Sequence, residues 1–182
     1  FDSESKIAGL FKIKFNRPLD SAPSFKILND SLQTFTSYQG DSLMIWYQPN
    51  QISQDSILIL LDSDTLNLKI PDSSKVSQAL YLTNLTNNTF LSNFDTIKVK
   101  LSNPNLKKNP TSVAFVDSSG LRLPLQANTT DNIIYQFTAE NLLAKQYTFR
   151  IDSAAFEDIF GNVSDSLSVK YTKISEDKLS GL

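Results

Sequence analysis

Carboxylates are the only side chains in this sequence suited to acid–base or metal chemistry, because its 182 residues include neither cysteine nor histidine. That removes thiolate nucleophiles, disulfides, Cys/His zinc sites and every Ser-His-Asp arrangement. The acidic residues best placed to converge are Asp152, Glu157, Asp158 and Asp165, around the stretch F-E-D-I-F-G-N. An oxygen-ligand calcium site needs about six to eight oxygens from carboxylates and carbonyls. These four residues are the candidate metal site, although their spacing matches no EF-hand loop. Asp158 has a competing role in a turn, with Gly161 free to take positive φ and Asn162 tolerant of the left-handed region. Glycoside hydrolysis requires two carboxyl groups at a set separation across a cleft. Adjacency in sequence supplies no such cleft, so no catalytic residue and no cofactor are expected.

The other chemistry on offer is aromatic. Trp46, Tyr47 and Tyr38 are candidates for a flat platform under a sugar ring. On an alternating strand Trp46 points away from Ile45 and Tyr47, so one aromatic of the pair faces the core and the other faces out. Burial of the indole is the commoner arrangement in a small core. An exposed Trp46 would make the chain a carbohydrate-binding accessory module, the alternative to a non-catalytic spacer or interaction fragment.

The elements that must hold these residues read as strands throughout. In Gln146 to Thr172, Tyr147, Phe149 and Ile151 alternate with polar residues, and Leu167, Val169 and Tyr171 do so again after the turn. Each pattern is that of a half-buried antiparallel strand. Further strands are expected at Leu10 to Phe15, Ser24 to Leu28, Leu32 to Tyr38, Ser42 to Tyr47, Ser56 to Leu61 and Thr65 to Ile70. After a polar linker come Ala79 to Thr83, Thr96 to Leu101, Ser112 to Val116, Leu121 to Leu125 and Asn132 to Thr138. Ser56 to Leu61 is continuously apolar and reads as buried on both faces, and Asn84 to Asn93 reads as a loop. No amphipathic helix is evident, and turn signals recur at the spacing of a β-sandwich.

The order of patterns repeats. I-K-F-N-R-P at Ile13 to Pro18 matches V-K-L-S-N-P at Val99 to Pro104, D-S-L-M-I-W-Y from Asp41 matches D-N-I-I-Y-Q-F from Asp131, and D-T-L-N-L-K-I from Asp64 matches D-S-L-S-V-K-Y from Asp165. The second copy carries an extra corner where F-E-D-I-F-G-N stands. S-E-S-K-I-A-G-L at Ser3 to Leu10 resembles S-E-D-K-L-S-G-L at Ser175 to Leu182, which suggests a tandem array. The expected organisation is two all-β, immunoglobulin-like antiparallel sandwiches, 1–75 and 76–174, with 175–182 opening a further module.

The second half, from Ala79 to Lys173, resembles the bacterial immunoglobulin-like domains of the SbsA-like type. The matching elements are the I-x-V-x-L strand with its S/N-x-P turn (Ile97 to Pro104), Leu143 ahead of the strand-opening Tyr147, and D-x-x-G-N (Asp158, Gly161, Asn162). The family's L-x-x-G-x-Y corner lacks its glycine here, since Ala144, Lys145 and Gln146 intervene. The first half has no D-x-x-G-N turn, and Ile57 stands where the tyrosine would be. The resemblance implies a secreted or outer-surface modular protein of a bacterium, often lipid-anchored, whose units space or bind rather than catalyse. Its partners would be other domains of the parent protein, a surface protein or a glycan.

Twelve of the fifteen aspartates precede Ser or Thr. Most such pairs read as turns in which Asp satisfies free amides. Where an apolar or small residue follows, the triplet also resembles an acceptor signal for bacterial O-glycosylation, at Ser21, Ser31, Ser42, Ser56, Thr65, Thr96, Ser153 and Ser166. The N-L-T and N-N-T triplets near Asn84 are N-glycosylation acceptors only in hosts with that machinery. The pair Lys107 and Lys108 is too small for a polyanion, and a net charge of −2 gives no basic stripe for nucleic acid. No apolar run is long enough to span a membrane, and a chain opening at Phe1 reads as part of a longer protein.

Overall fold

A computed structural model describes residues 2–28, 32–72, 79–92, 95–129, 131–140 and 142–174. The chain divides into two compact units, Phe1–Gln78 and Ala79–Leu182. The segments 73–78 and 175–182, on which the linker and the further module were expected, lie outside the described residues.

Among the described residues the first unit holds seven strands: β1 (Asp2–Ile7), β2 (Leu10–Lys14), β3 (Phe25–Ile27), β4 (Thr34–Gln39), β5 (Ser42–Tyr47), β6 (Ser56–Leu61) and β7 (Asp64–Lys69). They pair as β1-β2-β5-β4 and β3-β6-β7. Lettered A to G in chain order, these are the ABED and CFG sheets of a constant-type immunoglobulin sandwich. Alternation drives the assembly: Phe11 and Ile13 of β2, Leu43, Ile45 and Tyr47 of β5, and Ile57, Ile59 and Leu61 of β6 meet in one core. The apolar run of β6 is fully buried on that face only, while Leu58 and Leu60 on the other are half-buried. Its hairpin to β7 turns over Asp62 and Ser63, with Asp62 at φ 51°. Sequence patterning omits β1, whose D-S-E-S-K-I has no apolar alternation.

The second unit is larger. Its strands are β8 (Leu82–Asn84), β9 (Phe90–Leu91), β10 (Thr96–Leu101), β11 (Asn105–Lys108), β12 (Val113–Asp117), β13 (Arg122–Leu123), β14 (Leu125–Thr129), β15 (Ile134–Ala139), β16 (Gln146–Ile151), β17 (Phe156–Asp158) and β18 (Leu167–Lys173). One sheet is ordered β8-β10-β15-β14 and the other β9-β18-β16-β12-β13. This is an ABED sheet facing an A′GFCC′ sheet, with the short A′ strand β9 running parallel to β18. Inside the sandwich Phe115 stacks on Tyr147 of its own sheet at 5.0 Å, and Phe137 meets Phe149 across the two sheets at 5.1 Å. Both halves are therefore immunoglobulin-like sandwiches.

Other features also depart from the strand reading, among them β9, which lies within the expected loop Asn84 to Asn93. The expected strand Leu121 to Leu125 is broken at Pro124, which lies where the chain leaves β13 in one sheet and opens β14 in the other. The extra corner contributes β17, which pairs with β11 as a two-stranded ribbon. Neither ribbon strand has the apolar alternation that marks strands in isolation.

Candidate functional site

Asp158 organises the long corner between β16 and β18. It is fully buried. Its Oδ1 accepts from the backbone N–H groups of Phe160 at 2.9 Å and Asn162 at 2.8 Å. Its Oδ2 accepts from Asn103 Nδ2 at 2.7 Å and Asn162 Nδ2 at 3.0 Å. Gly161, at φ 84°, donates its N–H to the Asp158 carbonyl at 3.1 Å. A carboxylate facing four N–H donors is held as an acceptor and has no geometry left for a cation.

The four candidate metal ligands are accordingly not brought together. Glu157 pairs with Lys107 at 2.9 Å and Asp152 with Arg150 at 3.0 Å, while Asp165 is exposed. Among the described residues no group of three or more acidic side chains could hold an ion. Each carboxylate near the corner either supports a turn, forms a surface pair or stands apart.

Tyr147 opens β16, and its hydroxyl accepts from the Ala144 N–H at 2.6 Å. That bond to a backbone group just upstream is the tyrosine corner of immunoglobulin sandwiches. The leucine that serves the corner is Leu142, 2% exposed, whereas Leu143 is 92% exposed. Counting from Leu142 gives the L-x-x-G-x-Y spacing, with Lys145 at the glycine position, so the motif shifts by one residue from its sequence reading. The Lys173 ammonium donates to the Leu142 carbonyl and fixes it.

Two of the three aromatic candidates are removed from solvent. Trp46 is 3% exposed and Tyr47 0%. Tyr47 faces the core and stacks on Phe11 at 4.5 Å. Trp46 lies on the opposite face, where its cross-strand partners are Leu10 and Phe35. Paired residues share a face, so this apolar ladder across three strands removes the indole from the solvent-facing role. The Tyr38 hydroxyl is engaged by backbone, accepting from Leu19 N–H at 2.9 Å and reaching the carbonyls of Leu19 and Gly40. No sugar-binding surface is assembled from these three side chains.

Of the Asp-Ser/Thr positions, Ser21, Thr65, Ser153 and Ser166 are exposed, and Ser42, Ser56 and Thr96 are half-buried. Ser42 Oγ donates to Asp41 at 2.8 Å, and that bond holds the Asp41 carboxyl below its usual range. Ser31 lies outside the described residues. Turn-forming aspartates are plain elsewhere: Asp117 Oδ1 accepts from the N–H groups of Ser119 and Leu121, and Asp131 Oδ1 from those of Ile133 and Ile134.

One concave feature went unread in the sequence. Beside β14 lies a cleft of about 270 Å³ lined by Val113, Leu123, Leu125, Ala127 and Phe137, with Lys108, Thr111 and Arg122 at its polar side. Lys108 Nζ stands 5.3 Å above the ring of Tyr135, and partial burial draws its pKa below the ordinary lysine value. Arg122 donates to the carbonyls of Thr111 at 2.6 Å and Val113 at 3.1 Å. The available signal was Pro124, which ends β13 after two residues and leaves the inner side of β14 uncovered.

No protein-family model and no curated protein matches the chain. Among solved structures, the Yersinia pseudotuberculosis adhesin InvE is 14% identical over 89% of this chain and 53% of its own, with a TM-score of 0.31. The I9–I11 tandem of titin is 11% identical over 93% of this chain and 61% of its own, with a TM-score of 0.27. Likeness at that level carries no functional argument, and the immunoglobulin-like assignment rests on the strand order. Among the described residues no helix is long and apolar enough to cross a membrane.

Proposed function

We propose that the chain is a non-catalytic pair of immunoglobulin-like modules that spaces, and presents for binding, parts of a larger exported bacterial protein. The observation that carries this reading is the use of the chemically capable groups. Asp158, Tyr147, Tyr38 and Trp46 all serve turns, corners or packing, and the remaining corner carboxylates are dispersed. Placement at a cell surface is supported by the SbsA-like resemblance of Ile97 to Pro104 and of Asp158 to Asn162. In such a setting the accessible hydroxyls of Ser21, Thr65, Ser153 and Ser166 are the places for O-linked sugar. Mass spectrometry of protein from its native host tests that point, and unmodified peptides there would remove it.

In each unit by itself, tension applied between its ends must separate antiparallel sheets. The second unit adds the parallel β9–β18 pair, whose hydrogen bonds run across the strands and load in shear. Single-molecule extension of the full chain should therefore give two discrete ruptures. At about 3.5 Å per extended residue, they release contour lengths of roughly 25 and 35 nm. A single rupture or a featureless extension would overturn the spacer reading.

A further inference from the structure

We propose that β14 is a strand-addition site: its free edge takes an extended segment of a partner protein, with apolar side chains entering the adjoining cleft and an acidic side chain meeting Lys108 and Arg122. The proposal deepens the binding role just given and rests on it. Among the described residues β14 ends its sheet, paired only with β15. Its outer edge therefore offers backbone donors and acceptors to another strand. Leu125–Thr129 contains no charged residue and no proline, the usual obstructions to edge pairing. An uncharged edge alone is insufficient, since β4 has one too.

The inner side distinguishes β14. The facing sheet ends in β13, two residues long, against five in β14. Among the described residues that sheet ends at β13, and the cleft is lined from both sides by Leu123 and Leu125. Ala127 is too small to fill it and is exposed on the inward face, across from the buried Phe137. The Arg122 guanidinium caps the carbonyls of Thr111 and Val113 and is held in place at the cleft's polar side. The opening accepts one extended segment and a branched aliphatic side chain or two.

Charge selects the occupant. Among the described residues neither Lys108 nor Arg122 has a carboxylate partner, while Lys107 next door is paired with Glu157. Lys108 lies over Tyr135, the register partner of Thr129, and so marks the Thr129 end of the strand. The crossing at Pro124 closes the Leu125 end. A peptide backbone can continue past the cations, so the anion required is an Asp or Glu side chain rather than a chain terminus. Main-chain pairing supplies affinity and the alternate side chains supply selectivity, as in other β-augmentation sites.

The test uses the full ¹⁵N-labelled chain and two capped peptides, Ac-Leu-Thr-Val-Thr-Glu-Thr-NH2 and its reversed order, which together cover both strand directions. Binding should shift the amide resonances of Leu125–Thr129 and slow their exchange with solvent. Ala127→Phe fills the cleft at an exposed position and should weaken binding by about tenfold or more. Replacing the peptide Glu by Gln, or introducing Lys108→Gln with Arg122→Gln, should weaken it by about fivefold or more. Absence of β14 shifts with either peptide at about 5 mM, a concentration that reveals even millimolar affinity, overturns the proposal. So does binding that survives Ala127→Phe. Hexanoate shifting only cleft side chains, with the β14 amides unmoved by peptide, would show a small-acid cleft and also overturn it. A negative peptide result beside two clean ruptures leaves the spacer reading standing, whereas loss of the two ruptures removes that reading whatever the peptides do.

Discussion

Asn103 donates its side-chain amide to Asp158 Oδ2 at 2.7 Å, joining the turn after β10 to the long corner after β16. Both residues are buried. The bond makes the extra corner part of the second core instead of a free loop, because Asp158 closes its own turn with Oδ1 and reaches across with Oδ2. Asp158→Asn turns one acceptor oxygen into a donor that faces other donors. It should lower the stability of the second unit by about 2–3 kcal/mol, and Asn103→Ala by about 1–2 kcal/mol. The only tryptophan lies in the first unit, so the measurement is near-UV dichroism of the second unit's tyrosines during urea unfolding. An unchanged midpoint in Asp158→Asn would rule out the staple.

The corner before β16 separates two adjacent leucines. Leu142→Ala should cost about 2–4 kcal/mol as a large-to-small core change, while Leu143→Ser should stay within about 0.5 kcal/mol. Tyr147→Phe keeps the ring stacked on Phe115 and leaves the Ala144 N–H without its acceptor, for a loss of about 1–2 kcal/mol. Equal effects of the two leucine substitutions would show that the motif has been placed in the wrong register.

Alternation made most of this fold legible. Phe11 and Ile13, Ile97 and Val99, and Tyr147, Phe149 and Ile151 declare which way their strands face before any partner is known. What stayed hidden depends on partners. β1 and β11 are strands because neighbours pair with their backbones, and their side chains carry no periodic signal. Asn105 gives no sequence hint of its role, yet with its amide oriented to satisfy both ends it accepts from the Tyr135 hydroxyl at 2.9 Å and donates to the Lys107 and Glu157 carbonyls. The cleft beside β14 is defined by an element that stops early, and a pattern search registers what is present. Trp46 defeated the two-face argument because both faces of its strand are covered.

Trp46 is therefore a packing residue. Trp46→Ala should destabilise the first unit by about 3–5 kcal/mol and leave the second unit's transition in place. In the native chain its fluorescence should be blue-shifted and poorly quenched by acrylamide. Emission near that of indole in water, with ready quenching, would contradict the burial.

Alkaline pH provides a test that reads both cores. Burial raises the pKa of Tyr47 in the first unit and of Tyr135 and Tyr171 in the second, where a hydrogen bond from Asn84 partly offsets the rise for Tyr171. An unfolded tyrosine ionises near pH 10. In the window above that value the unfolded chain loses these protons before the folded chain does, so the unfolded state binds fewer protons and stability falls as pH rises. The contribution is intact below about pH 10 and is lost as pH climbs through the raised folded values. Urea midpoints should accordingly hold steady from neutral pH to about 9.5 and then drop, with tyrosinate absorbance appearing together with unfolding. Tyr171→Phe should flatten the drop for the second unit. Tyr47→Phe should do so for the first without loss at neutral pH, because the Tyr47 hydroxyl has no hydrogen-bond partner among the described residues. Tyrosinate absorbance that rises fully at about pH 10 in a chain still folded would show that these phenols are accessible, and would contradict the packing described for both cores.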